Sequence, residues 1–254
     1  MIICSFPAPL HNTSLYLLGD DVSFPLQWCG CERSLRPSLS LGNRVTPLGE
    51  TTCSRDAHHR GAGQKVVSFS FYRSPRLDQP GRNYLDGVSA NLALAASLYP
   101  GWVVRLYHDL DPGDPAAARL CSVACTDTRL DLCDIRHLPG PLGNSTAAAM
   151  FPMNWRFLPT LDPQVAAFVS RDLDSRLSAR EAAAVSAWLA SSRSFHMMRD
   201  HPQHGTEMLG GAWGWRDTGG GRGRWREAWD RILADQATWA GRDNWQTDQY
   251  ILRR

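Results

Sequence analysis

The chain has 254 residues with 27 Lys plus Arg against 25 Asp plus Glu, a formal charge of +2, and Lys65 is its only lysine. Binding to a phosphate backbone needs a concentrated basic face, so this near-balance argues against a general nucleic-acid binder. The length suits one α/β domain with an additional arm, and apolar runs such as LYLLG at 15–19 are far short of the roughly 20 residues that span a bilayer. The start, MIICSFPAPL, lacks a positively charged leader and is interrupted by Pro7 and Pro9, so neither a signal peptide nor a membrane anchor is recognised.

Residues 1–64 scatter Pro, Ser, Gly and Cys without period, and His58 to Gly63 reads as a linker, so this segment is expected to be an irregular, disordered arm. The seven cysteines (4, 29, 31, 53, 121, 125 and 133) contain no C-x-x-C pair and match no structural zinc spacing. They are expected to be ordinary buried or loop thiols, from which the compartment is not read.

From Lys65 the pattern becomes regular. VVSFSFY (66–72) predicts a strand by its β-branched and aromatic content. Leu85, Val88, Leu92, Ala95 and Tyr99 mark a helix closed by Pro100-Gly101, and WVVRLYH (102–108) a second strand. A helix over 112–124 and a short strand over 132–138 follow, and this alternation predicts a mostly parallel sheet with right-handed crossovers and flanking helices.

The apolar run 165–169 then delivers two aspartates, Asp172 and Asp174, before Ser178 and Glu181, which form a capping-box signature opening another helix. Ligands bind at the carboxyl ends of strands in open α/β sheets, and two carboxylates this close repel unless a cation lies between them. A divalent metal is the natural third party; the alternative is that the aspartates end the strand and pre-cap the helix. Beyond lie a predicted strand at 194–199, a glycine-rich turn at 209–214, and a helix with Trp225, Ala228, Trp229, Ile232 and Leu233 on one stripe. Gly219 to Gly223 is no phosphate loop, since G-x-x-x-x-G-K-[ST] is absent.

The segments VVSFSFYRS (66–74), YLDGVSANLALAASLYPGWVVRLYHD (84–109), RDLDSR (171–176), FHMMRDHPQHGTEMLGGAWG (195–214) and TDQYIL (247–252), in this order, resemble the GT-A class of nucleotide-sugar glycosyltransferases, in an uncharacterised branch. The resemblance covers roughly residues 66–252 and implies a GT-A-like domain over 65–254. It also implies transfer of a sugar from a nucleotide-diphosphate donor to a glycan, protein or small-molecule acceptor, with Mn²⁺ favoured over Mg²⁺ as the metal. Asp174 would contact the metal, and Asp172 the metal or the ribose.

Tyr72, Arg73 and Arg171 would line the donor site. Core packing or solvent exposure competes for Tyr72 and for Arg73, and an ion pair with a neighbouring carboxylate for Arg171. Asp200, His201, Gly210, Gly211 and Trp213 would meet the sugar, with core packing the competitor for Trp213 and a structural or solvated loop role for His201. Asp248 and Gln249 would sit on the acceptor side as the catalytic pair, Asp248 or Thr247 being otherwise a helix cap. Members of this class often use a further metal ligand beyond the Asp-Gln pair, whereas this chain ends at Arg254, five residues past Gln249. The domain is therefore expected to be incomplete at its carboxyl end, with little or no transfer activity. The alternatives are a catalytically degenerate binding protein of the same fold and a haloacid-dehalogenase-like phosphatase.

Overall fold

The computed structural model describes residues 22–26, 28–35, 51–72, 84–139, 150–199, 205–234 and 247–252. Arg73, Asp200 and His201 lie outside them. Its core is a six-stranded sheet of β3 (Gln64–Phe71), β4 (Val103–His108), β5 (Leu130–Asp134), β6 (Val165–Arg171), β7 (Phe195–Met197) and β8 (Ala212–Arg216), in the order β5-β4-β3-β6-β8-β7. The first four in that order are parallel, while β8 runs antiparallel to both β6 and β7. The chain winds outward from β3 through β4 to β5, then returns to place β6 on the other side of β3. The strand order thus reverses at β3 and β6, and their carboxyl ends form the crevice where such sheets take ligands.

Each face of the sheet has its own cover because alternate strand residues point to opposite sides. Val67, Phe69, Val104, Leu106 and Val169 meet α2 (Tyr84–Leu98), α3 (Pro115–Thr126) and α4 (Ala179–Ala190). Val66, Tyr107, Phe168, Trp213 and Trp215 meet a 3-10 helix (Pro152–Leu161) and α5 (Gly221–Ala234), where the Trp229 indole N–H donates to Thr160 Oγ1 at 3.0 Å. The caps are those the residue types favour. Asp114 accepts from the Ala116 amide ahead of Pro115, and Ser178 accepts from the Glu181 amide. A mixed α/β fold with a largely parallel sheet is as expected from the sequence, although β3 and β5 each start two residues before the expected 66 and 132, and β5 ends at 134 where 138 was expected.

Three expectations are corrected, the last being that the cysteines are thiols, since six of them form disulfides. The segment 209–214 is not only a turn, since Ala212–Arg216 forms β8. Its alternation of Trp213 and Trp215 with a glycine puts both indoles on one buried face. Nor is the region before residue 65 an irregular arm throughout. Among its described residues, β1 (Val22–Leu26) and β2 (Cys31–Leu35) form a hairpin, and α1 (Arg55–His58) is capped by Ser54. Leu26, Cys53 and Ala57 are core residues, and Trp28 packs on the sheet.

Three disulfides join this region to the sheet domain: Cys29–Cys121, Cys31–Cys125 and Cys53–Cys133. The cysteine partners lie 80 to 94 residues apart, so no short-range spacing reveals them. Two arginines reinforce the attachment. Buried Arg33 donates to the Leu130 and Thr128 carbonyls at 2.9 and 2.6 Å, and Arg60 pairs with Asp131 at 2.7 Å. The fully buried pair Arg105–Asp162, at 2.6 Å, anchors the segment again because Asp162 also accepts from the Thr51 hydroxyl and the Thr52 amide.

His108, at the end of β4, is fully buried with its ring 4.5 Å from that of Trp28, and its Nδ1 accepts from the Leu110 amide. Burial lowers its pKa to about 4, Asp134 opposing and Arg136 adding to the shift. A histidine depressed in the fold favours the neutral form, so the stability it supports is full above about 6.5 and drains as pH falls toward 4. Stability should fall by about 3 kcal/mol over that window from this residue alone. His108→Phe should flatten that part of the pH profile in urea titrations. An unchanged acid limb would assign the loss to other groups.

Candidate functional site

Asp172 follows β6 directly, at the strand-order reversal, with its side chain 44% exposed. Its loop is held from below by Asn91 of α2. This buried amide donates to the Leu173 and Ser175 carbonyls (3.3 and 2.9 Å) and accepts from the Leu177 amide (3.1 Å). Gly87, one turn earlier on α2, admits the same loop, because a Cβ there would stand 2.4 Å from the Leu173 carbonyl oxygen.

The centre of the site is a residue that sequence reasoning missed. Arg156, from the 3-10 helix and only 4% exposed, pairs through Nη1 with Asp172 Oδ1 and through Nη2 with Asp248 Oδ2 at 2.7 Å. Its backbone amide donates to Ser70 Oγ at 3.0 Å, fixing the helix against β3. One guanidinium therefore joins a carboxylate at the end of β6 to one at the start of α6 (Thr247–Leu252). Burial lowers the Arg156 pKa, but Asp172 and Asp248 outweigh it and the net shift is upward. Burial pushes the Asp248 carboxyl up, Arg156 opposing and Asp172 assisting. WRF at 155–157 carries no motif, so only its position opposite Asp172 would have identified Arg156.

Gly210 and Gly211 close the cluster. A Cβ on Gly211 would lie 2.0 Å from Asp172 Oδ2, and one on Gly210 would lie 1.8 Å from Asp248 Oδ2. The close approach these glycines permit is therefore to the two carboxylates. Gly211→Ala is expected to drive Asp172 off Arg156 and to abolish any ligand-induced thermal shift that depends on Asp172. Gly205→Ala, with nothing within 4 Å of the added carbon, should leave that shift intact. Equal ligand responses in the two variants would mean that the position of Asp172 does not matter.

The other expected site residues divide clearly. Gln249 sits beside the cluster, its amide donating to Asp248 Oδ1 at 2.8 Å. Tyr72, at the end of β3, is half-buried between the rings of Phe151 and Trp155, 6.3 and 6.1 Å away. Arg171 turns to the opposite face of the sheet and pairs with Glu181, so the ion-pair alternative describes it and its guanidinium is not free for a phosphate. The reason is strand alternation: neighbours Arg171 and Asp172 point apart. Trp213 is fully buried against Phe157 and Phe168, as the packing alternative has it.

Asp174 is exposed. Among the described residues no group of three or more His, Cys, Asp or Glu side chains is placed to hold a metal. The carboxylate in the cluster is Asp172, one oxygen of which is held by Arg156, and Asp174 is two residues further along the chain. That fits the mode in which Mg²⁺ or Mn²⁺ takes one or two carboxylates and completes its shell with phosphate oxygens and water. It does not fit a cage built wholly from protein ligands.

Compared with known proteins, the chain matches no protein-family model and no curated protein. No described helix is long and apolar enough to cross a membrane.

Proposed function

We propose that this protein is a metal-assisted glycosyltransferase that moves a sugar from a nucleotide-diphosphate donor to an acceptor hydroxyl at the carboxyl ends of β3 and β6. One observation carries the reading: Asp172 and Asp248, 76 residues apart in sequence, share the buried guanidinium of Arg156 at the strand-order reversal. A divalent cation bound at Asp172 and Asp174 would supply charge neutralisation to the departing diphosphate.

The protein's own groups do the rest. Arg156 fixes both carboxylates, one on each of its two amino groups. Asp248, its carboxyl raised by burial, stands on the acceptor side as the group to receive the attacking hydroxyl's proton. Tyr72 offers a ring edge at the donor side, and Asn91 keeps the Asp172 loop in register. The grip of Arg156 on Asp172 also favours a second reading, a sugar-nucleotide-binding protein without turnover.

The test is thermal denaturation with uridine, guanosine and adenosine diphosphates, each with and without Mn²⁺. One nucleotide at about 100 times its Kd should stabilise the protein by about 2.7 kcal/mol, and only when Mn²⁺ is present. The shift should vanish in Asp172→Asn. Donor hydrolysis or sugar transfer then separates the enzyme from the binder. Silence toward all three nucleotides, metal or not, would refute both readings.

A further inference from the structure

Beside the ion cluster lies a cavity of about 540 Å³, within the range of small-molecule sites. Trp213 and Trp215 of β8, Trp225 and Trp229 of α5, and Phe157 form its walls, with Arg224 also lining it. Three of its lining residues are near neighbours in sequence of the ionic ones. Phe157 adjoins Arg156, Trp213 comes two residues after Gly211, and Leu252 lies one helical turn beyond Asp248. The cavity therefore borders the acceptor side of the proposed reaction.

Trp213 itself is fully buried, so the aromatic surface a ligand can reach belongs to Trp225 and Phe195. Arg224 is exposed at the cavity and enters no ion pair with a described residue. The reachable aromatic faces are those of Phe195 and Trp225, their rings 5.8 Å apart and tilted by 41°. A free sugar would bring more hydroxyls than these walls can satisfy. A flat ring stacks on indole, while an acidic group on it answers Arg224.

From this geometry we infer that the cavity binds an aromatic anion, and that such a molecule is the acceptor of the transfer. The second clause rests on the proposed glycosyltransferase function; the first does not. The probes are 1-anilinonaphthalene-8-sulfonate and its uncharged analogue N-phenyl-1-naphthylamine, followed by energy transfer from tryptophan in the folded full-length chain. Both should bind saturably at one site. Ala228→Trp, which places an indole in the cavity from α5, should abolish both, with near-ultraviolet circular dichroism reporting that the fold is kept. Arg224→Gln should weaken the sulfonate by about fivefold and leave the amine unchanged, the loss of one charge contact at an exposed rim.

Equal sulfonate binding by wild type and a folded Ala228→Trp, or no saturable binding by wild type, would overturn the inference. So would an equal effect of Arg224→Gln on both probes. The nucleotide-dependent thermal shift should survive in Ala228→Trp. If that shift is absent from wild type while the probe pattern holds, the donor site fails and the aromatic-anion site stands.

Discussion

Reduction of the three disulfides will take this protein from a cooperative fold to a largely unfolded chain. The first bridge, Cys29–Cys121 with a separation of 92 residues, removes about 4.5 kcal/mol of unfolded-state entropy on the chain-entropy model. Cys31–Cys125 then closes only a short extra ring and adds less, while Cys53–Cys133 closes a loop of intermediate size. Together they contribute on the order of 10 kcal/mol, comparable to the whole stability of an ordinary domain. The loss reaches the core, because the bridges tie Leu26, Trp28 and Ala57 to the sheet's two faces. Melting in the presence of a phosphine reductant should fall by roughly 20–40 °C or lose its cooperative transition. Peptide mapping without reduction should recover the three links, and production in an oxidising host compartment should give far more folded protein than production in a reducing one. Identical melting with and without reductant, with seven free thiols in the native protein, would show that the bridges do not form.

The parts of this molecule legible in the sequence are those whose signals are local. Strand content at 66–72, the stripe on α2 and the Ser178 cap each depend on a few adjacent residues, and β3, α2 and α4 lie where those signals put them. The same holds for Asp172 at the end of an apolar run and for Asp248 opening a short helix. What stayed illegible depends on partners far apart in the chain. Cysteine pairs separated by 80 to 94 residues have no period, so a hairpin and a capped turn read as an irregular arm. Arg156 has no motif of its own and gains meaning only when β6 and α6 bring carboxylates to both of its amino groups. The glycines at 210 and 211 signalled a close approach, yet only the folded chain identifies what approaches them.

Arg156→Met should be among the most damaging single changes available to this chain. The replacement keeps length and apolar volume but leaves Asp248, 2% exposed, with no cation on its Oδ2. Removing one partner of a buried pair costs about 3–5 kcal/mol, because the remaining charge stays desolvated. Asp172 is half in solvent and suffers less in stability, yet it loses the contact that orients it. Sugar transfer, if the proposed function holds, should drop by at least about 100-fold, since catalytic groups displaced by an ångström lose rate on that scale.

Arg156→Lys should lie between, for an ammonium keeps the charge but cannot present two fixed amino groups to two carboxylates. Combining Arg156→Met with Asp248→Asn removes the stranded charge and should recover much of the stability while recovering none of the transfer. Urea midpoints read the first effect and initial rates of transfer the second. A double variant that regained both would reduce Arg156 to a structural counter-ion, whereas recovery of the midpoint alone assigns it the positioning of Asp172 and Asp248 for chemistry.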